Sequence, residues 1–182
     1  MTENLSLADL KSLVRTVPDF PVSGIQFRDI TTLIGDGAGF RSCVAHLAEA
    51  ARTAGAQKIA GMEARGFIFG AAVAAKLGIG FLPIRKPGKL PVETIGIDYA
   101  LEYGGDRLEL DPGAVANGER VVIVDDLIAT GGTAMAAVQL LRNAQAHVED
   151  GLFVIDLPAL GGADKLRGAG IAVKSLMAFE GE

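Results

Sequence analysis

The chain has little sulfur and few aromatic rings. Its 182 residues include one cysteine, two histidines, two tyrosines, eight phenylalanines and no tryptophan. One cysteine, Cys43, cannot form an internal disulfide. It sits in an apolar stretch, and a reduced, cytoplasmic setting is expected. His46 and His147 are far apart in sequence, which argues against a Cys/His zinc site. Long apolar runs are missing. The longest stretch without Asp, Glu, Lys, Arg or His is Leu127 to Leu141, fifteen residues, short of the ~18 that a spanning helix needs. The N-terminal MTENLSLADLK has neither the basic start nor the apolar core of a signal peptide. No like-charge block, internal repeat or Pro/Ser-rich tract marks a linker or disorder. The net charge of −5 argues against a general nucleic-acid coat. It leaves room for one anionic small ligand met by a local basic cluster.

Apolar residues and glycine are plentiful. Hydrophobic residues make up 49%, enough for a single domain over 1–182 with a sizeable core. The 24 glycines are about twice the usual share of ~7%. They mark turns, or loops where backbone approaches a ligand.

Ser6 and Asp9 have capping-box spacing and open the series Leu10, Leu13, Val14, Val17, which predicts a helix over 6–16 stopped by Pro18. Residues 18–36 read as an ordered loop with short extended pieces. Phe40, Val44, Leu47, Ala48 and Ala51 recur at helical spacing, and Gly55 ends that helix. Beyond it the pattern alternates. Strands are expected at 58–61, 79–84, 120–124, 151–157 and 171–176, and helices at 66–77 and 131–144. Residues 85–105 read as a long loop. Unbroken apolar strands between helices predict an α/β fold, a mainly parallel sheet with helices on both faces. Ligands of such sheets gather at the carboxyl ends of the strands.

The strongest chemical signal is VVIVDDLIATGGT at 121–133. Asp125 and Asp126 end an apolar strand. As carboxylates they only accept hydrogen bonds, so their partners are hydroxyls or a metal ion, and vicinal ribose hydroxyls suit both. Thr130, Gly131, Gly132 and Thr133 offer hydroxyls and free N–H groups at a helix start, a phosphate site. The bland alternative is a helix cap beside two solvated acids. GMEARGFIFG at 61–70 repeats the strand–loop–helix arrangement, with Glu63, Ala64 and Arg65 in the turn. Arg65 suits a second phosphate-like group, or an ordinary surface pair with Glu63. Arg85, Lys86 and Lys89 open the 85–105 loop, which also carries Tyr99, Glu102 and Tyr103. A basic, glycine-flanked loop suits a lid over an anion. Phe20 and Phe27, in DFPVSGIQFRDIT at 19–31, read more readily as core residues than as base platforms. Neither G-x-x-x-x-G-K-[ST] nor G-x-G-x-x-G occurs, which disfavours P-loop hydrolases and dinucleotide dehydrogenases.

Taken together, the 121–133 string resembles the phosphoribosyl pyrophosphate motif of the type I phosphoribosyltransferases. The segments at 19–31, 61–70, 84–91 (IRKPGKLP), 99–104 (YALEYG) and 121–133 occur in the order found in the branch that takes adenine. The resemblance covers nearly the whole chain. It implies a single domain of that twisted-sheet type, with an N-terminal hood over 1–36 for the base and a flexible lid over 85–105. It implies transfer of phosphoribosyl from phosphoribosyl pyrophosphate to adenine, giving AMP and pyrophosphate, in cytoplasmic purine salvage by a homodimer. The implied cofactor is Mg²⁺, held mainly through the substrate. Asp125 and Asp126 would take the ribose hydroxyls and Ala129 to Thr133 the 5′-phosphate. Glu63, Ala64, Arg65, Lys86 and Lys89 would serve pyrophosphate, with Arg85 often reaching the partner's site. Phe27 and Leu127 would sandwich adenine, and backbone near Gln26 and Arg28 would read its edge. Glu102 would act as acid/base, with Arg65 and Lys86 also catalytic. Ala64 replaces a frequent serine, and Pro87 stiffens the base of the lid. Two alternatives remain at this level: another purine with the same donor, or a non-catalytic sensor of the donor.

Overall fold

A computed structural model describes residues 4–100 and 105–181. Glu102 and Tyr103 therefore lie outside the described residues. The first helix, α1 (Leu7–Ser12), carries the expected capping box: the Asp9 N–H donates to Ser6 Oγ, and Asp9 accepts from the Ser6 N–H. It ends four residues earlier than the spacing predicts. Val14 and Val17 fall instead in or beside β1 (Arg15–Pro18), which pairs antiparallel with β2 (Gln26–Asp29). β-Branched residues fit a pleated ladder better than a helix end. The expected loop at 18–36 is thus partly a two-stranded ribbon, followed by the short α2 (Thr31–Gly35).

Next come α3 (Gly37–Thr53), β3 (Lys58–Met62), α4 (Arg65–Leu77) and β4 (Gly80–Ile84). The expected 85–105 loop needs correction. From Ile95 it becomes β5 (Ile95–Ala100), antiparallel to β6 (Gly105–Leu110). Ile95, Ile97 and Tyr99 alternate, as do Leu108 and Leu110, and these side chains join the core on the α5 side of the sheet. That period of two is a strand signal. The remaining elements are β7 (Val121–Ile128), α5 (Gly132–Asn143), β8 (Asp150–Asp156), α6 (Gly162–Gly168) and β9 (Ala172–Ala178). Helix α6 was not expected; it is short, glycine-flanked and half polar.

Five strands form one parallel sheet in the order β4-β3-β7-β8-β9. Its central strand shows why helices cover both faces. Val121 and Ile123 pack with α5 residues, while Val122 and Val124 pack with α3 and α4. Each is fully buried, contributing roughly 1.5–3 kcal/mol. The chain runs from β3 outward to β4, then returns to place β7 on the other side of β3. That reversal is the topological switch point, where open α/β sheets leave a crevice.

Candidate active site

The crevice lies between the segments that follow β3 and those that end β7. A cleft of about 460 Å³ is lined by Met62–Arg65 and by Asp125–Ala134. The two acids do not end their strand, as the sequence had implied; β7 continues to Ile128, paired with β8. On its other side, pairing with β3 stops at Gly61↔Val124. From Asp125 onward one edge of β7 is therefore open, and the acids stand at that opening.

Both helices that begin at the cleft lack a side-chain cap. Ala64 precedes α4 and Gly131 precedes α5, neither with a capping hydrogen bond. By contrast, α3 is capped by Asp36. Uncapped first-turn N–H groups at a helix's positive end form an anion site. Gly131 takes φ +75°, a region open to glycine at no steric cost. Gly66 is required for space, since a Cβ there would lie 2.7 Å from Asp125 Oδ1. The first turn of α4 is thereby seated against the acid pair.

Arg65 joins the two sides. Its Nε lies 2.7 Å from Asp126 Oδ2, with the Arg65 side chain 53% exposed and that of Asp126 only 6%. Burial pushes the Asp125 carboxyl well above its ordinary value of 3.8, and the Asp126 charge adds to the shift. Burial also raises Asp126, opposed by the Arg65 cation. In both cases the folded value is raised. The stability this gives is complete below about 3.8 and is lost as pH rises through the folded values. The ionised pair is thus a cost to the fold at neutral pH, and it is fitted to receive donors. Titration of carboxyl carbons by ¹³C NMR should show the Asp125–Asp126 pair taking up its first proton above 3.8. Titration of both groups at or below that value would remove the argument.

The predicted basic residues are placed unequally. Arg85 Nε is 3.1 Å from Glu63 Oε2, and the Lys86 N–H donates to the same oxygen at 2.9 Å. Glu63 is held below its usual range, chiefly by the Arg85 hydrogen bond. The Lys86 ammonium pairs with Asp106 on β6. Tyr99 Oη donates to that same Asp106 at 3.1 Å and accepts from Thr133 Oγ1 at 3.4 Å. The β5–β6 ribbon therefore reaches the Thr130–Thr133 loop. Lys89 is exposed, and its carbonyl accepts from Arg85. Arg85, Lys86 and Lys89 do not line the cleft itself.

A second pocket, of about 390 Å³ and largely apolar, is lined by Val17, Phe20, Phe27 and Arg28 to Thr31, with Arg65 in common with the cleft. Phe20 and Phe27 meet edge to face at 5.1 Å and 77°. The core reading of Phe20 does not hold, because it is 51% exposed. Phe27 is half-buried on β2. Arg28 sits over the Phe179 ring at 4.7 Å and donates to Thr16 Oγ1 at 2.5 Å. Gln26 is paired across the ribbon with Pro18. Leu127 lines the main cleft. Phe20 and Asp106 are additions that sequence reasoning missed. An aromatic seven residues before Phe27 was visible, whereas the Lys86–Asp106 pairing spans twenty residues.

Comparison with known proteins gives the family. The phosphoribosyl transferase domain family matches residues 40–154. An adenine phosphoribosyltransferase of Novosphingobium aromaticivorans is 72% identical over 173 residues, 95% of this chain and 97% of that one. The crystal structure of the adenine phosphoribosyltransferase of Thermoanaerobacter pseudethanolicus superposes with a TM-score of 0.90 at 46% identity, covering 96% of this chain and 100% of that one. That of Saccharomyces cerevisiae, complexed with adenine and an imino-altritol bisphosphate, gives 0.86 at 38% identity, covering 94% and 98%.

Proposed function

The chain belongs to the adenine phosphoribosyltransferases of the phosphoribosyl transferase domain family, and from that premise we propose how its cleft carries out the reaction. The enzyme transfers the phosphoribosyl group of phosphoribosyl pyrophosphate to adenine, yielding AMP and pyrophosphate. One observation carries the assignment of sites: two uncapped helix starts and an open acid pair converge on the switch point beside an apolar pocket.

In this reading Ala129 to Thr133 hold the 5′-phosphate, and Asp125 and Asp126 accept from the ribose hydroxyls. Glu63, Ala64 and Arg65 form the pyrophosphate turn. Arg85, Lys86 and Lys89 approach that group as the lid closes, so Lys86 exchanges Asp106 for a more highly charged anion. Phe27 and Leu127 flank the base, with backbone near Gln26 and Arg28 along its edge. When the bond from the anomeric carbon to pyrophosphate breaks, positive charge grows on the ribose, near the two acids. Negative charge grows on the leaving group, near Arg65. A bond then joins the anomeric carbon to the purine nitrogen, whose proton passes to Glu102. Among the described residues no group of three or more His, Cys, Asp or Glu could hold a metal. The carboxylates that line the cleft are Glu63, already held by Arg85, and the Asp125–Asp126 pair, so Mg²⁺ would fit as an ion held mostly by substrate oxygens and water with the acid pair beside it. When bound it would supply positive charge to offset that of the pyrophosphate.

A homodimer is part of the proposal; Ile68 and Val92 are exposed apolar side chains that an interface would cover. So is a cytoplasmic setting, supported by the lone, buried Cys43. No helix among the described residues is long and apolar enough to cross a membrane.

The deciding assay supplies the donor and Mg²⁺ with adenine, hypoxanthine, guanine or xanthine. AMP from adenine alone is the expected result. Product from another base alone would overturn the base pocket, and no product with the donor still bound would overturn catalysis. Phe27→Ala should weaken adenine specifically. Stacking on an aromatic face is worth about 1–3 kcal/mol per base, so KM for adenine should rise roughly 5–150-fold. KM for the donor should stay within about twofold. An unchanged KM for adenine would remove Phe27 from the pocket.

A further inference from the structure

The Ala129–Thr133 loop rests on α6, and the contact is backbone against backbone. The Gly162 N–H donates to the Ala129 carbonyl at 2.9 Å. A Cβ on Gly162 would lie 2.2 Å from that oxygen, 2.6 Å from Gly131 N and 2.9 Å from the Ala129 carbonyl carbon. The approach is reciprocal. A Cβ on Gly131 would lie 2.9 Å from the Gly162 oxygen and 3.0 Å from its Cα. Beneath the pair, Ala163 and Leu166 are buried in the core on the α5 side. All three atoms facing Gly162 belong to the loop's own backbone, so none can rotate away. Ordinary contact begins at 3.4 Å; a methyl group at Gly162 therefore requires the loop and α6 to separate by more than 1 Å.

We propose that Gly162 is a positioning residue for the phosphate loop: its missing side chain lets α6 hold Ala129–Thr133 in the shape that receives a phosphate monoester. The proposal rests on the assignment of that loop to the 5′-phosphate. Gly162 touches no substrate, and the first turn of α6 is not itself a ligand site. Its neighbour Gly161 has a different need, a φ of +71° with open space around it. Sequence reading ended the site at Thr133, because nothing in LGGADK announces a structural support for a segment thirty residues earlier.

The test compares Gly162→Ala with Gly168→Ala, beside the unsubstituted protein. Gly168 lies in the same helix, where a Cβ would meet nothing within 4 Å. Alanine is the better helix former at either position, so loss at Gly162 comes from the loop. A displacement of about 1 Å in a positioning element costs on the order of 100-fold. By calorimetry, Gly162→Ala should bind ribose 5-phosphate about 100-fold more weakly. Pyrophosphate with Mg²⁺, which uses the Glu63–Arg65 side of the cleft, should stay within about twofold. Gly168→Ala should leave both unchanged. Ribose 5-phosphate bound normally by Gly162→Ala overturns the proposal. So does an equal loss of both ligands, which is the mark of a merely structural role. If the unsubstituted protein binds pyrophosphate but not ribose 5-phosphate, the loop assignment itself fails and the proposal falls with it. Should Gly162→Ala not fold, hydrogen exchange in the unsubstituted protein decides. Amides 161–166 slowed by ribose 5-phosphate but not by pyrophosphate sustain it; no slowing overturns it.

Discussion

Asp126→Asn should cost most of the activity without lowering the stability of the protein. The side chain is 6% exposed and pairs with Arg65 at 2.7 Å. Asparagine keeps the shape but exchanges charge-assisted bonds to ribose hydroxyls for neutral ones. Bonds to charged groups contribute about 1.5–3 kcal/mol and neutral ones about 0.5–1.5. Across two hydroxyls the loss is about 2–3 kcal/mol, or roughly 30–150-fold in kcat/KM for the donor. Stability moves the other way. Burial already disfavours the charged form of both acids, and the Asp126 charge raises Asp125 further. Removing that charge relieves the pair. Arg65 loses its partner but is 53% exposed, so water replaces the contact at little cost. Kinetics with the donor varied, together with a thermal melt, check both arms. Unchanged kcat/KM would remove the ribose assignment. A large fall in Tm would make Asp126 a structural residue instead.

Glu102→Gln should lower kcat by about 10²–10⁴-fold, the usual contribution of a positioned acid or base, with KM values shifted only a few-fold. Attack by the purine nitrogen leaves a proton that must go to a base, and glutamine cannot take it. The described residues on either side of it reach the cleft. Glu102 is among the four residues between Ala100 and Gly105, which pair across the β5–β6 ribbon. On one flank Tyr99 Oη accepts from Thr133 Oγ1, and on the other Asp106 pairs with Lys86. The ribbon thereby meets both the phosphate loop and the lysine assigned to pyrophosphate. Steady-state kcat with pH varied is the measurement. The unsubstituted enzyme should lose rate as a carboxyl group protonates, and Glu102→Gln should lack that limb. A variant with full kcat would put proton handling on another group.

Much of the site was legible because its parts are local. The apolar run from Val121 to Val124, the two acids and the Thr-Gly-Gly-Thr turn are adjacent, and their chemistry follows from residue type and order. The same holds for Glu63 to Arg65 between a strand and a helix. By charge and glycine content the 85–105 segment reads as a loop, yet the period-two series Ile95, Ile97, Tyr99 makes it a strand from Ile95. Phe20 reads as core by residue type alone, but the β1–β2 ribbon lies at the surface and leaves it half exposed.

The sequence by itself determined the parallel α/β class, the alternation that buries β7 on both faces, and the local grouping of the residues proposed to meet phosphate and ribose. These depend on patterns within one element and its adjoining turn. Only the tertiary structure decided which side of β3 receives β7, and so that the Glu63 and Asp125 segments share one cleft. It alone joined Lys86 to Asp106, Tyr99 to Thr133 and Gly162 to Ala129. Each of those contacts is set by how separate elements pack, and packing selects shape and distance rather than any local sequence pattern.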